Sequence, residues 1–136
     1  MTPSTPRGTR VSHIGIAVHA IAENLPFFRD VLGLGEVALG DGDGSSIVGL
    51  SAGDQLVELL ETNDPQSPIG KYLTKRGPGI HHICFSVDDL DATLERCRRA
   101  GVQLIDERPR IGAEGKRIAF LHPKSTGGVL VELSDH

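Results

Sequence analysis

The chain has 136 residues and a formal net charge of −4, which fits one compact domain and gives no electrostatic reason to expect a nucleic-acid partner. No apolar run approaches the roughly 20 residues of a membrane span. The N-terminus lacks the apolar core of a signal peptide, so the expectation is a cytoplasmic protein without a membrane partner. Cys84 and Cys97 show neither CxxC spacing nor a disulfide framework, which fits a reducing compartment.

Residues 1–9 are rich in Thr, Pro, Ser and Gly and read as a flexible N-terminal arm. Residues 10–18 alternate as a strand, with His13, Gly15 and Ala17 on one face and Ile14, Ile16 and Val18 on the other. Leu25, Phe28, Val31 and Leu32 repeat at helical spacing, predicting a helix over 21–32 with Gly33 as its stop. Pro26 is tolerated only near the first turn, so the start is open. Strands are predicted at 36–39, 45–51 and 54–61, with a turn or loop at 40–44. The Asp41 and Asp43 carboxylates in that loop lack the ligand series and terminal Glu of a calcium loop. A short helix near 68–73 lies in the connection over 62–79. Then the pattern restarts. A strand covers 80–87, and Asp88 or Asp89 caps a helix that runs to Ala100 and buries Leu90, Leu94 and Cys97. Strands follow at 102–106, 116–121 and 128–134.

The chain therefore contains two near-copies. His13-Ile14-Gly15-Ile16-Ala17-Val18 and Leu56-Val57-Glu58-Leu59 in the first match His82-Ile83-Cys84-Phe85-Ser86-Val87 and Leu130-Val131-Glu132-Leu133 in the second. The predicted fold class is α+β, built from paired β-α-β-β-β modules that form a half-open barrel cleft. One domain over 10–134 holds the two repeats, 10–61 and 80–134.

His13, Glu58, His82 and Glu132 fall at equivalent places in the repeats. Imidazole and carboxylate are natural ligands for a borderline divalent ion such as cobalt, nickel, zinc or manganese. Glu58 lies between Val57 and Leu59, and Glu132 between Val131 and Leu133, in segments too apolar for an idle charge. A lone strand histidine is more often a hydrogen-bonded core residue, but the repeated quartet favours one metal ion per chain. His81 falls on the face opposite His82 and is left out. Cys84 shares the His82 face as a small core residue or, alternatively, a soft ligand.

This layout resembles the vicinal oxygen chelate superfamily, with its glyoxalase-type fold. At finer grain, three stretches resemble the methylmalonyl-CoA epimerases. They are Ser67-Pro68-Ile69-Gly70-Lys71-Tyr72-Leu73 with Arg76-Gly77-Pro78-Gly79-Ile80-His81-His82-Ile83, the segment from Leu104 to Ala113, and the segment from Phe120 to Leu133 containing His122-Pro123-Lys124. The resemblance implies His13, His82 and Glu132 as metal ligands, with Glu58 at a fourth position that carries Gln in some members. It also implies a cobalt-type cofactor, a small acyl-CoA substrate and a homodimer, which exposed strand edges also favour. Some epimerases have a third-strand glutamate proposed as an acid/base, and Ile47 falls at or near that place here.

The implied reaction interconverts the epimers at C2 of methylmalonyl-CoA. That C–H is flanked by a thioester and a carboxylate, so its removal gives an enolate whose charge a divalent metal stabilises. Glu132 is the first catalytic acid/base candidate and Glu58 the second, on the other side of the metal. Lys124, Arg117 and His122 are candidate substrate-binding residues near the second-half cleft, each equally readable as a surface or loop residue. Glu58 also fits the ligand set of a glyoxalase I-like lactoylglutathione lyase or another metal-dependent isomerase. A metal-free binding protein on this fold would have no use for four intact ligands.

Overall fold

The computed structural model describes residues 8–39 and 45–136. The predicted turn at 40–44 and most of the predicted arm lie outside the described residues. Two compact units are present, His13–His81, and His82–His136 with the described residues that precede His13.

In the first unit, β1 (Arg10–Ala17) pairs in parallel with β4 (Gln55–Glu61). Strand β3 (Ser46–Ala52) runs antiparallel to β4 and β2 (Gly35–Val37) antiparallel to β3. Alternation divides this sheet into two faces. Ile16, Val18, Val48, Leu50, Val57 and Leu59 pack on one face against Ile21, Leu25 and Phe28 of the helical segment after β1. His13, Gly15, Ala17, Ile47, Gly49, Glu58 and Leu60 share the other. Its far end packs Ala17, Ile47 and Leu60 on Ile69, Tyr72 and Leu73 of α2 (Pro68–Arg76).

The α2 helix is longer than the predicted 68–73. Ser67 caps it, accepting a hydrogen bond from the Gly70 amide at 3.1 Å, and Pro68 holds the first position, where no amide is needed. It stops at Gly77, whose φ of 75° favours glycine.

The predicted helix over 21–32 is not one α-helix. Only Ile21–Leu25 (α1) is α-helical, and Pro26–Val31 winds as a π-helical turn. Pro26 has no amide to donate to the carbonyl four residues back. The ladder widens instead, and the Leu32 amide donates to the Phe27 carbonyl five residues back at 2.9 Å.

The second unit repeats the plan. Strand β5 (Gly79–Val87) pairs in parallel with β8 (Val131–Asp135). Strand β7 (Arg117–Leu121) is antiparallel to β8, and β6 (Arg110–Ile111) antiparallel to β7. Asp89 caps α3 (Leu90–Arg99) by accepting from the Ala92 amide at 3.0 Å. Leu90 and Leu94 pack with Val87, Ala119, Leu121 and Leu133, and Cys97 flanks them. Burial pushes the Cys97 thiol pKa up.

The predicted strand at 102–106 does not form. Leu104 makes a single bridge to Leu121, and the Ile105 and Asp106 amides both donate to the Phe120 carbonyl. The Asp106 carboxylate accepts the Phe120 amide at 2.8 Å, taking the place a strand carbonyl would hold. The edge position passes to Arg110–Ile111, beyond Pro109.

Candidate active site

Each unit buries one histidine beside one glutamate. In the first, His13 and Glu58 are 5% and 4% exposed, and His13 Nδ1 lies 3.3 Å from Glu58 Oε2. In the second, His82 and Glu132 are buried to a similar degree, with His82 Nε2 3.2 Å from Glu132 Oε1. The register is the same in both. Glu58 stands opposite Gly15, two residues after His13, and Glu132 opposite Cys84, two residues after His82. In a parallel ladder that spacing sets the carboxylate one pleat along from the imidazole on the same face.

The neighbours of the two carboxylates differ. Glu58 has Gly15 on β1 and Gly49 on β3 directly across. Leu39 fills the space above Gly49, where a Cβ would lie 2.8 Å from Leu39 Cδ1. Glu132 has Cys84 on β5 and Phe120 on β7. The Phe120 ring meets the His82 ring edge-on at 5.9 Å and fixes that imidazole from the side. Cys84 is fully buried, its Sγ 3.6 Å from Ser134 Oγ. His81 takes the opposite face of β5 and stacks edge-on against Tyr72 at 5.2 Å.

Burying a carboxylate is costly unless a cation or donors compensate it. Each buried imidazole–carboxylate pair offers nitrogen and oxygen donors of the kind a borderline divalent ion takes, and Cys84, like these four side chains, is among the residues able to hold one.

A model of the Glyoxalase/Bleomycin resistance protein/Dioxygenase superfamily matches residues 12–120. The chain is 38% identical over 127 residues to the mitochondrial methylmalonyl-CoA epimerase of Mus musculus, covering 91% of this chain and 71% of that one. It is 37% identical over 128 residues to the ethylmalonyl-CoA/methylmalonyl-CoA epimerase of Cereibacter sphaeroides, covering 91% and 96%. A solved structure of a methylmalonyl-CoA epimerase in complex with methylmalonyl-CoA and NH4+ matches with a TM-score of 0.88 at 37% identity, over 94% of each chain. The chain belongs to the methylmalonyl-CoA epimerase family. It is thus an isomerase, with the α+β fold of paired β-α-β-β-β units expected from its sequence.

The remaining candidates of this family member are scattered. Arg117 does not share the Glu132 face. Residues 117, 119 and 121 of β7 point to the α3 side, where Arg117 makes two 3.0 Å bonds to Asp91 and lies 3.5 Å from Asp135. The Asp91 hydrogen bond raises its pKa further. Its proximity in sequence was misleading because a strand changes face at every residue. His122 Nδ1 accepts the Lys124 amide at 3.0 Å and caps the turn Pro123–Ser125, while the Lys124 side chain is exposed. Ile47 shares the Glu58 face and is apolar among Ala17 and Leu60.

Sequence reasoning missed Phe120 and Arg110. Phe120 reaches the Glu132 face only through the β7/β8 register, and Arg110 on β6 lies directly across from Ile118 on β7, two residues before Phe120. The Asp106-x-x-x-Arg110 spacing was the available signal, and those two residues do pair at 3.2 Å.

Proposed function

We propose that this chain interconverts the epimers of methylmalonyl-CoA by moving the C2 proton. The observation that carries this reading is the repeated buried pair, His13 with Glu58 and His82 with Glu132, in a chain of the epimerase family. The four side chains are proposed as the ligands of one divalent metal ion per chain, cobalt first by the family resemblance, with zinc, nickel and manganese also suited to the donor set. When bound, that ion supplies Lewis-acid stabilisation of negative charge developing on the thioester oxygen.

The chain's own residues do the proton work. Glu132 is the proposed acid/base at C2. It is held by burial and by its contact with His82, so its carboxylate is oriented before substrate arrives. Inversion needs a proton returned to the opposite face. Glu58 is the candidate there, although ligation alone is the role we favour for it. Ile47 offers no proton, which keeps that task with carboxylates. Gly15 and Cys84 leave room beside the two glutamates.

A glyoxalase I-like reaction is the second reading, favoured by a glutamate at position 58. We further propose a homodimer. Exposed Phe27, Val31 and Leu32, at 52%, 73% and 53%, supply apolar surface of the kind an interface covers. We also propose a cytoplasmic location. No helix among the described residues is long and apolar enough to cross a membrane.

The test offers the protein each substrate in turn. Conversion of one methylmalonyl-CoA epimer to the other, without conversion of the methylglyoxal–glutathione hemithioacetal, supports the epimerase. The reverse pattern overturns it.

A further inference from the structure

Arg110 has no role in the chemistry above, yet it is the one arginine of β5–β8 that shares the face of Glu132. The other, Arg117, points to α3. Three of its contacts place it. Its main chain lies across from Ile118 at the edge of the sheet. Its guanidinium carbon stands 5.5 Å from the centroid of the Phe120 ring, over its face. Its Nε lies 3.2 Å from Asp106 Oδ1. Asp106 is itself fixed, because its other oxygen accepts the Phe120 amide at 2.8 Å. Phe120 in turn abuts His82. A half-exposed cation is thus held one aromatic ring away from a proposed metal ligand, by a carboxylate tied to the same strand.

We infer that Arg110 is a substrate-binding residue that receives an anionic oxygen of the acyl-CoA. This rests on the epimerase reading. An arginine fork matches the oxygens of a carboxylate or phosphate, and the Nε contact with Asp106 orients its plane. Stacking on Phe120 limits the motion of a side chain that would otherwise be freely mobile, so less order is lost when an anion binds. The substrate brings negative charge toward the buried Glu132, and a cation on the same face of the sheet offsets that repulsion. Two groups of the substrate carry the required chemistry, the malonyl carboxylate and the CoA phosphates.

The experiment compares wild type, Arg110→Met and Arg110→Lys with methylmalonyl-CoA and with methylmalonyl-N-acetylcysteamine, which lacks the CoA phosphates. Arg110→Met is expected to raise KM for methylmalonyl-CoA about tenfold or more, the size of one lost charge-assisted hydrogen bond, with kcat nearly unchanged. Arg110→Lys should recover part of the loss. A loss that persists with the truncated thioester assigns the arginine to the carboxylate, and a loss that disappears assigns it to the phosphates. Unchanged KM for both substrates overturns the inference. So does a fall in kcat alone, which would mean that Arg110 acts only by propping Phe120 against His82. Calorimetric binding of methylmalonyl-CoA to the same proteins separates the two levels. Wild type that does not turn over removes the epimerase reading, and equal affinity in wild type and Arg110→Met removes the role of Arg110.

Discussion

Gly15 lies directly across the parallel β1/β4 ladder from Glu58. Cys84 holds the same place beside Glu132. The repeats thus agree that the neighbour of each carboxylate is small but not that it is a thiol, and this argues that Cys84 packs and does not ligate. Cys84→Ala should keep the metal content of wild type and lose about 1 kcal/mol of stability. Metal analysis and denaturant unfolding read the two effects. Loss of metal with intact fold would make Cys84 a ligand.

The two histidines at the middle of β5 should behave oppositely. His82→Ala removes a buried imidazole from the Glu132 pair and should lower metal affinity and activity together. His81→Ala removes an edge-on contact with Tyr72, worth about 0.5–1.5 kcal/mol, on the opposite face of the strand, and should retain both. Equal metal loss in the two variants would show the site to extend through both faces of β5.

Glu132→Gln separates ligation from proton transfer. The amide oxygen still coordinates but does not accept the C2 proton. Turnover should fall by about two to four orders of magnitude, the size of a lost general base, with metal content better preserved. Both are measured on one preparation reloaded with cobalt. Near-normal turnover at full metal occupancy would leave Glu132 a ligand only.

What the sequence made legible followed from periodicity. His13 and His82 on the same face of their strands as the residues two further on, Asp89 as a cap, and the Leu90–Leu94 stripe all come from alternation or helical spacing, which are local properties. The elements that escaped depend on contacts distant in sequence or on one atom. Pro26 converts a helical pattern into a π-helical turn because a single amide is missing. Residues 102–106 have a strand's composition, but the Asp106 side chain takes the Phe120 amide. Arg110 and Arg117 look alike in sequence, and only the hairpin register shows that they face opposite ways.

Gly70 reverses an ordinary expectation. Replacing glycine by alanine in a helix normally stabilises by about 1 kcal/mol. Here a Cβ would lie 2.2 Å from the Asp64 carbonyl oxygen and 2.7 Å from Pro65 Cα, both backbone atoms. Gly70→Ala should therefore destabilise the protein, by about 1–3 kcal/mol for overpacking. Thermal unfolding checks the sign. A raised midpoint would mean that the 64–65 turn yields without cost.

Proton exchange at C2 of methylmalonyl-CoA is the most direct measurement, made in heavy water on metal-stripped protein titrated with cobalt. Deuterium should enter C2 only as metal is added, with the rate reaching its plateau at one ion per chain. Exchange at full rate in the stripped protein, or none at one ion per chain, would contradict a carboxylate base working beside a four-ligand metal.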